Sequence, residues 1–265
     1  MRESRDPVSV LLALFGTGAL AGSVGALLGL GGGIFLVPAL TLVFHLPVRI
    51  AVGTSLVSVI ATSAGVAASA DEDSGADVML ALRLEIATAA GAVIGGLVAG
   101  FVSASALSIL FAVVVFATAG YTLTKSLRRS GDEAMYRRDY TPRRWAAGSS
   151  TAGLAGMVSG LLGVGGGFIK VPTMYAVMGV PLGIATATSN FMVGITAAAS
   201  VFVYIGRGDV RPFIAVPTAT GVFLGAVLGS LVQSRIKVGA LRWALIVLLL
   251  GIGVQMLLRG LRGGA

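Results

Sequence analysis

One lysine lies in a stretch where the sequence offers it no obvious partner. Lys170 follows the glycine run at residues 163–167 by three positions, and apolar residues flank it. An ammonium group deep in a membrane costs at least about 2.5–3.5 kcal/mol, so such a residue usually faces a cavity and a partner. The side chain could instead extend to a nearby membrane surface. The distance from either loop favours the cavity, and we expect Lys170 to meet an anion together with the neighbouring glycine amides.

The glycine runs themselves are the second candidate. Residues 29–33 and 163–167 each interrupt an apolar stretch, and each is followed by Val-Pro, ending at Pro38 and Pro172. Glycine lets the backbone unwind and approach a ligand closely. The amides freed at the start of the next half-helix direct partial positive charge at an anion. We therefore predict a substrate site between the two runs. Its backbone members are Gly31, Gly32, Gly33, Gly165, Gly166 and Gly167.

Small residues can also serve only for close helix packing. Packing is the preferred interpretation of two further glycine pairs, Gly91 with Gly95 and Gly225 with Gly229. Three successive glycines followed by a proline exceed what packing requires, so there we favour a binding site.

Hydroxyl and amide side chains follow each glycine run at matching places. They are Thr54 and Ser55 in the first half, and Thr188, Ser189 and Asn190 in the second. Their polar atoms could replace the hydration shell of a substrate. They could equally form hydrogen bonds between helices, worth about 0.6 kcal/mol each. Both interpretations remain open, and all five residues are candidates for the substrate site.

Other chemistry finds little support. The chain has no cysteine, which excludes disulfides and thiolate metal sites. His45 is the only histidine, and the glycine runs lack the Gly-Lys-Ser/Thr ending of a nucleotide-binding loop. Arg83 and Glu85 favour a structural ion pair, or extension to the membrane surface, over proton coupling. We expect no catalytic residue, no metal and no cofactor, so the protein is not predicted to be an enzyme.

Composition determines the environment in which these residues work. The sequence is 56% hydrophobic and 11% charged, whereas charged residues make up about a quarter of a typical soluble domain. The charges are confined to short stretches between long apolar runs. These features predict an integral membrane protein built of helices, because each spanning segment must satisfy its own backbone groups. The basic residues behind the net charge of +8 are concentrated in one loop, and the charge does not indicate nucleic-acid binding.

The order of the apolar stretches shows a duplication. Identical residues recur 134 positions apart, from the glycine runs as far as Gly95 and Gly229. We predict an all-α membrane protein with two tandem homologous repeats of about four transmembrane helices, each with a glycine-broken first segment. The first repeat covers residues 1–126, a basic cytoplasmic linker covers 127–144, and the second repeat covers 145–265. Predicted helices are 8–28, 34–44, 48–70, 78–101, 104–124, 145–162, 168–178, 182–205, 212–232 and 239–258.

Basic residues suggest an orientation. A broken segment that crosses once gives eight spans, and places the linker and both termini in the cytoplasm, in agreement with most arginines. A broken segment that forms a hairpin gives each repeat an odd number of spans and inverts the halves. The sequence alone does not decide between these arrangements.

The duplicated motif also resembles a known family. Two copies of Gly-x-Gly-Gly-Gly-x-x-x-Val-Pro, each followed by Ala-x-x-Thr-Ser, resemble the TauE/SafE family of sulfite exporters and related permeases. The matching stretches are 29–38 with 51–55, and 163–172 with 185–189. The resemblance covers nearly the whole chain. It implies a bacterial-type inner-membrane carrier for sulfite, sulfoacetate or similar organosulfur anions, driven by ion gradients. A thiosulfate-uptake group of the wider superfamily relies on cysteines, so its chemistry is not expected here.

The expected function is therefore a secondary transporter for small anions, with its site between the two broken helices. The alternatives are a passive anion channel and a membrane scaffold without transport. The expected partners are the lipid bilayer and a small anionic substrate, and no nucleic acid. A coupling ion and a homo-oligomer remain open.

Overall fold

The chain folds into helices throughout the part that can be described. The computed structural model describes residues 6–28, 31–69, 75–127, 140–232 and 238–263. These residues form ten α-helices, and no strand occurs among them. The acidic loop at 70–74, the linker residues 128–139, residues 29–30 and the basic residues Arg235 and Lys237 lie outside the described ranges. In chain order the helices are α1 (Pro7–Leu28), α2 (Gly33–Pro38), α3 (Val48–Ala68), α4 (Val78–Ala99), α5 (Ala104–Leu127), α6 (Trp145–Leu162), α7 (Gly167–Pro172), α8 (Leu182–Gly206), α9 (Pro212–Val232) and α10 (Val238–Leu261).

The long helices have the length and composition of membrane spans. Among the described residues, six helices qualify by both criteria: α1, α3, α4, α5, α8 and α9. Large apolar side chains also cover their outer surface; Ile86 is 78% exposed and Leu20 is 72% exposed. A soluble protein would bury such residues, whereas lipid accepts them. The prediction of an all-α, multi-pass membrane protein is confirmed.

The two short helices share one construction. α2 and α7 each begin after glycines in the left-handed region, with φ of +67° at Gly32 and +73° at Gly166. Each ends at a proline and continues as one π-helical turn, Ala39–Val43 and Thr173–Val177. Proline lacks an N–H group and its ring displaces the carbonyl one turn earlier, which widens the helix at that point. We call α2 and α7, each with its π turn, the half-helices.

After α1 the chain turns back on itself. A Cβ atom on Gly32 would lie 3.3 Å from the carbonyl oxygen of Ala21, although Ala21 precedes it by three turns of helix. A side chain on Gly25 would clash with the backbone of Gly32. In the second half Gly166 lies in the same way against Ala155, at 2.8 Å. Each half-helix therefore starts beside the middle of the preceding helix and returns toward the face where that helix began.

Close backbone contacts between the halves fix the directions of the helices. Gly18 and Gly22 of α1 pack against the carbonyls of Thr218 and Val222 of α9, so these helices run parallel. Gly91 and Gly95 of α4 pack on α6 in the same parallel sense, and Gly225 and Gly229 of α9 pack on α1. The packing interpretation of these two glycine pairs is confirmed.

α3 and α8, the helices that follow the two half-helices, cross at the centre of the helical bundle. The hydroxyl of Ser63 in α3 donates to the carbonyl of Asn190 in α8 at 2.8 Å, and Val59 and Val193 contact the same glycines. Residue numbers rise along α3 as they fall along α8, so these helices are antiparallel. Because α3 runs parallel to α9, and α4 to α8, the helices of one half point opposite to their counterparts in the other.

These helix directions agree with the hairpin arrangement and not with the eight-span arrangement, the two alternatives that the sequence leaves open. α1 begins, and α10 ends, on one face, which we call the N-terminal face. α5 ends and α6 begins on the opposite face, which we call the linker face. The termini and the linker therefore flank opposite sides, because each broken segment is a hairpin. Described basic residues lie at both faces, with Arg207 and Arg262 at the first and Arg143 and Arg144 at the second.

The helix starts recur with one spacing. α2, α3, α4 and α5 begin at residues 33, 48, 78 and 104, and α7, α8, α9 and α10 begin 134 residues later.

The buried core surrounds the first half-helix and α3, where Ile34, Leu36, Leu56 and Val59 are fully enclosed.

Candidate functional site

The two glycine turns meet at the crossing of α3 and α8. A Cβ atom on Gly33 would clash with the carbonyl oxygen of Gly163. Gly31 and Gly165, with φ of +78° and +82°, both pack against the side chain of Val193. The absence of side chains lets the backbones of the two halves touch at this point. The predicted glycines are thus brought together near the middle of the helical bundle.

Hydroxyl groups of α3 hold the carbonyls of these turns. The Ser55 hydroxyl donates to the carbonyl of Gly163 at 2.8 Å, across the boundary between the halves. The Thr62 hydroxyl lies 3.0 Å from the Ser58 carbonyl and 3.4 Å from the Gly31 carbonyl. Of the predicted polar residues, Ser55 is the one whose hydrogen bond joins the two turns.

Three other candidate or neighbouring hydroxyls are buried without a hydrogen-bond partner. They belong to Thr54, Ser159 and Ser189. Ser189 is the counterpart of Ser55, and Ser159 lies against Gly166, where a Cβ would be 3.3 Å from the Ser159 Cβ. Buried hydroxyls are normally satisfied, so their vacant donors could serve a ligand that carries acceptor oxygens.

Thr188 lies at a different place. Its hydroxyl accepts a hydrogen bond from the backbone N–H of Asp77 at 2.9 Å, immediately before α4. Asp77 in turn caps α4 by accepting from the N–H of Leu80, and accepts from the hydroxyl of Tyr140 at 2.6 Å. Burial and this hydrogen bond raise the pKa of the Tyr140 phenol above its ordinary value. Asn190 contributes its backbone carbonyl to Ser63.

Lys170 is buried, and its partners are side chains. It is 1% exposed, and its Nζ donates to the hydroxyl oxygen of Thr196 at 2.5 Å. The Thr196 oxygen lies 2.6 Å from Oε1 of Glu85, and Nζ lies 3.9 Å from Oε2 of the same carboxylate. Glu85 is 6% exposed. The ammonium group is therefore directed at α8 and α4, and not at the glycine amides that we expected it to join.

This cluster of Lys170, Thr196 and Glu85, which we call the polar triad, has an uncharged counterpart. The residues 134 positions away are Leu36, Thr62 and Ala219. The threonine is common to both halves, and both charged groups are absent from the first set. The site is therefore asymmetric although the helices around it recur.

Sequence reasoning found Lys170 but not its partners. The sequence favours a structural ion pair between Arg83 and Glu85, and this prediction is wrong. The guanidinium carbon of Arg83 lies 5.4 Å from the centroid of the Trp145 ring, and Glu85 faces Lys170. Residues 83 and 85 point to different sides of α4. The available signal was the isolation of Glu85 within an apolar helix, because a buried carboxylate needs a cationic partner.

Comparison with known proteins supports a transport role. The model of the family described as "Sulfite exporter TauE/SafE" matches residues 14–256. The chain is similar to the probable membrane transporter protein YunE of Bacillus subtilis (strain 168), at 27% identity over 262 residues, covering 92% of this chain and 96% of that protein. It is also similar to a probable membrane transporter protein of Haemophilus influenzae, at 28% identity over 272 residues, covering 94% and 98% of the two chains. No solved structure matches. With the family model spanning nearly every helix described above, the chain belongs to the TauE/SafE family of membrane transporters.

Proposed function

We propose that this protein is a secondary transporter for small anions, with sulfite or a related organosulfur anion as its substrate. The site lies between the two glycine turns. One observation carries the proposal: a left-handed glycine turn from each half meets the other at the crossing of α3 and α8. The description of the family supports the choice of sulfur oxyanions for the first tests.

The arrangement matches what alternating access needs. We propose that the chain is two tandem copies in inverted orientation, each contributing one half-helix to a shared central site. Carriers of this type bind substrates at interrupted helices near mid-membrane, where half-helix ends face the ligand. Rocking one half against the other would expose the site to each face in turn. Vacant hydroxyls at Thr54 and Ser189 could replace part of the hydration that an anion loses on entry.

The sharpest test introduces one methyl group where the turns touch. Gly33→Ala would place a Cβ against the Gly163 carbonyl and 2.9 Å from the Ser55 hydroxyl. We expect transport of radiolabelled sulfite into proteoliposomes to fall at least tenfold, because the two turns must separate to accommodate the methyl group. Gly16→Ala is the matched control, since its added Cβ would meet no atom within 4 Å outside the neighbouring backbone of its own helix. Equal flux in both variants would remove the glycine contact from the site.

Two alternatives give different results in the same vesicles. A carrier saturates and shows counterflow of labelled substrate. An anion channel instead passes macroscopic current without counterflow. A scaffold without transport shows neither, and it would tolerate Gly33→Ala in assembly assays.

A further inference from the structure

We propose that the polar triad is a proton-coupling site, in which the carried anion takes the place of the Glu85 carboxylate at Lys170 and that carboxylate takes up one proton. The inference rests on the proposed anion transport and names its coupling ion. The balance is simple. An ion-paired carboxylate, an incoming anion and one proton from solution become a neutral carboxylic acid and an ammonium–anion pair.

The first argument is the isolation of the two charges. α6 and α8 are the helices packed against α4, and α6 contains no charged or histidine residue. Tyr204 is the one titratable residue of α8, and its hydroxyl donates to a carbonyl of α6. The second half-helix adds Lys170 and Tyr175, and Tyr175 is half exposed. On α4 itself, Arg83 is the other charged residue, and it stacks on Trp145. No other cation in these described helices can therefore compensate Glu85 if Lys170 engages another anion.

The second argument comes from the hydrogen bonds of Thr196. Its hydroxyl oxygen has one proton and two lone pairs. Three groups surround it: Nζ of Lys170 at 2.5 Å, Oε1 of Glu85 at 2.6 Å and the Met192 carbonyl at 2.8 Å. Lys170 donates to one lone pair. With Glu85 ionised, the proton can go to Glu85 or to the carbonyl, but not to both. With Glu85 protonated, Glu85 donates to Thr196 and Thr196 donates to the carbonyl, so every group is satisfied.

The third argument is that the pair is loose. Nζ and Oε2 are 3.9 Å apart, and Oε2 accepts no hydrogen bond. An ammonium has three donors, of which Thr196 takes one. Lys170 therefore has two N–H donors left for an incoming oxyanion. That oxyanion would compete with the Glu85 carboxylate, which Lys170 holds only weakly. A buried carboxylate left without its cation takes up a proton more easily than it remains charged.

The triad lies on the linker-face side of the glycine contact, so protons would reach it from that face. Lys170 is one turn from the glycine contact along a half-helix that leads toward the linker face. Glu85 lies eight residues after the cap of α4 at that face, or about 12 Å along the helix. On the side of the N-terminal face, Leu36 and Ala219 occupy the corresponding positions. Protons would therefore enter and leave Glu85 from the linker face.

The test counts protons during binding. Sulfoacetate is titrated calorimetrically into the purified protein at neutral pH, in two buffers of different ionisation enthalpy. Both of its acidic groups stay ionised between roughly pH 6 and pH 8, so the ligand itself contributes no proton. We expect close to one proton taken up per anion bound. By linkage, the affinity should rise about tenfold for each unit of pH lowered.

Variants assign the proton. Glu85→Gln should bind sulfoacetate with no proton uptake and with an affinity independent of pH. Arg83→Gln is the matched control, two residues away on the same helix but stacked on Trp145, and it should retain the uptake. Uptake that persists in Glu85→Gln would overturn the assignment to Glu85.

Proton uptake by the unmodified protein tests the inference even if a variant does not fold. Binding without net proton uptake would overturn this inference and leave the proposed transport function standing. Absence of binding by sulfite, sulfoacetate and the other sulfur oxyanions would overturn the proposed function, and this inference with it.

Discussion

At the scale of single residues, the polar triad shows how a membrane interior tolerates full charges. A buried ion pair contributes little net stability, because desolvation offsets the attraction between the charges. Removal of one partner is different, because the other must then stay charged without a partner or change its protonation state, and either costs free energy. Lys170 and Glu85 are 1% and 6% exposed, so neither can reach water without rearrangement of the helices.

Lys170→Met should therefore lower the free energy of unfolding by about 3–5 kcal/mol. Thermal unfolding of the purified protein in detergent measures this change. The double variant Lys170→Met/Glu85→Gln should recover most of the loss, because it leaves two uncharged groups. It should still not bind substrate anions, which separates the stability of the pair from its function. A stable single variant would show that Glu85 has another partner or takes up a proton at little cost.

Thr188 and Ser189 are neighbours in the predicted polar tract, but their hydroxyl groups have different surroundings. Its hydroxyl accepts from the backbone N–H of Asp77, while that of the adjacent Ser189 is buried without a partner. We expect Thr188→Val to reduce stability by about 1 kcal/mol with little change in anion affinity.

Thr186→Val is the control for this substitution, because its hydroxyl bonds only to a carbonyl one turn earlier in its own helix. Melting temperatures and sulfite affinities of the two variants would be compared. A loss of affinity in Thr188→Val without loss of stability would instead return Thr188 to the substrate site.

At the scale of the elements, the half-helices explain which features the sequence could predict. Predicted and observed long helices agree closely; Trp145–Leu162 and Pro212–Val232 agree at both ends, and α10 differs most among the long helices, covering Val238–Leu261 where 239–258 is predicted. Polar loops and glycines mark these ends in the sequence. The direction of the chain after the glycines carries no such mark, because the same residues allow continuation or reversal. The reversal depends on contacts of Gly32 with Ala21 and Gly25.

The site was predictable in part for the same reason. The glycine runs and Lys170 stand out in one stretch of sequence. Glu85 precedes Lys170 by 85 positions, and no periodicity links them. The triad forms only when α4 packs against α8, and this tertiary contact leaves no pattern in the local sequence.

At the scale of the whole molecule, the inverted halves predict where the chain meets water. Thr141, just before α6, and Arg262, just after α10, are both exposed and lie on opposite faces. Because the chain has no cysteine, Thr141→Cys and Arg262→Cys each create a unique thiol. A membrane-impermeant maleimide applied to intact cells should label one of the two variants and not the other. Permeabilised cells should label both.

Equal behaviour of the two thiols in intact cells would restore the eight-span arrangement. Which thiol reacts also tests the predicted cytoplasmic position of the linker. If that position is correct, Arg262→Cys is the variant that reacts from outside.

The packing of α1 on α9 has a consequence for biosynthesis. Among the described helices α1 leaves the ribosome first, yet the backbone it packs against lies about 200 residues later, at Thr218 and Val222. At a synthesis rate of about 5–20 residues per second, that delay is roughly 10–40 s. During this time the glycine face of α1 has only lipid or helper proteins to cover it. Release of the chain from the insertion machinery before α9 is made would leave that face open, so we expect the first helices to be retained there until the second half arrives.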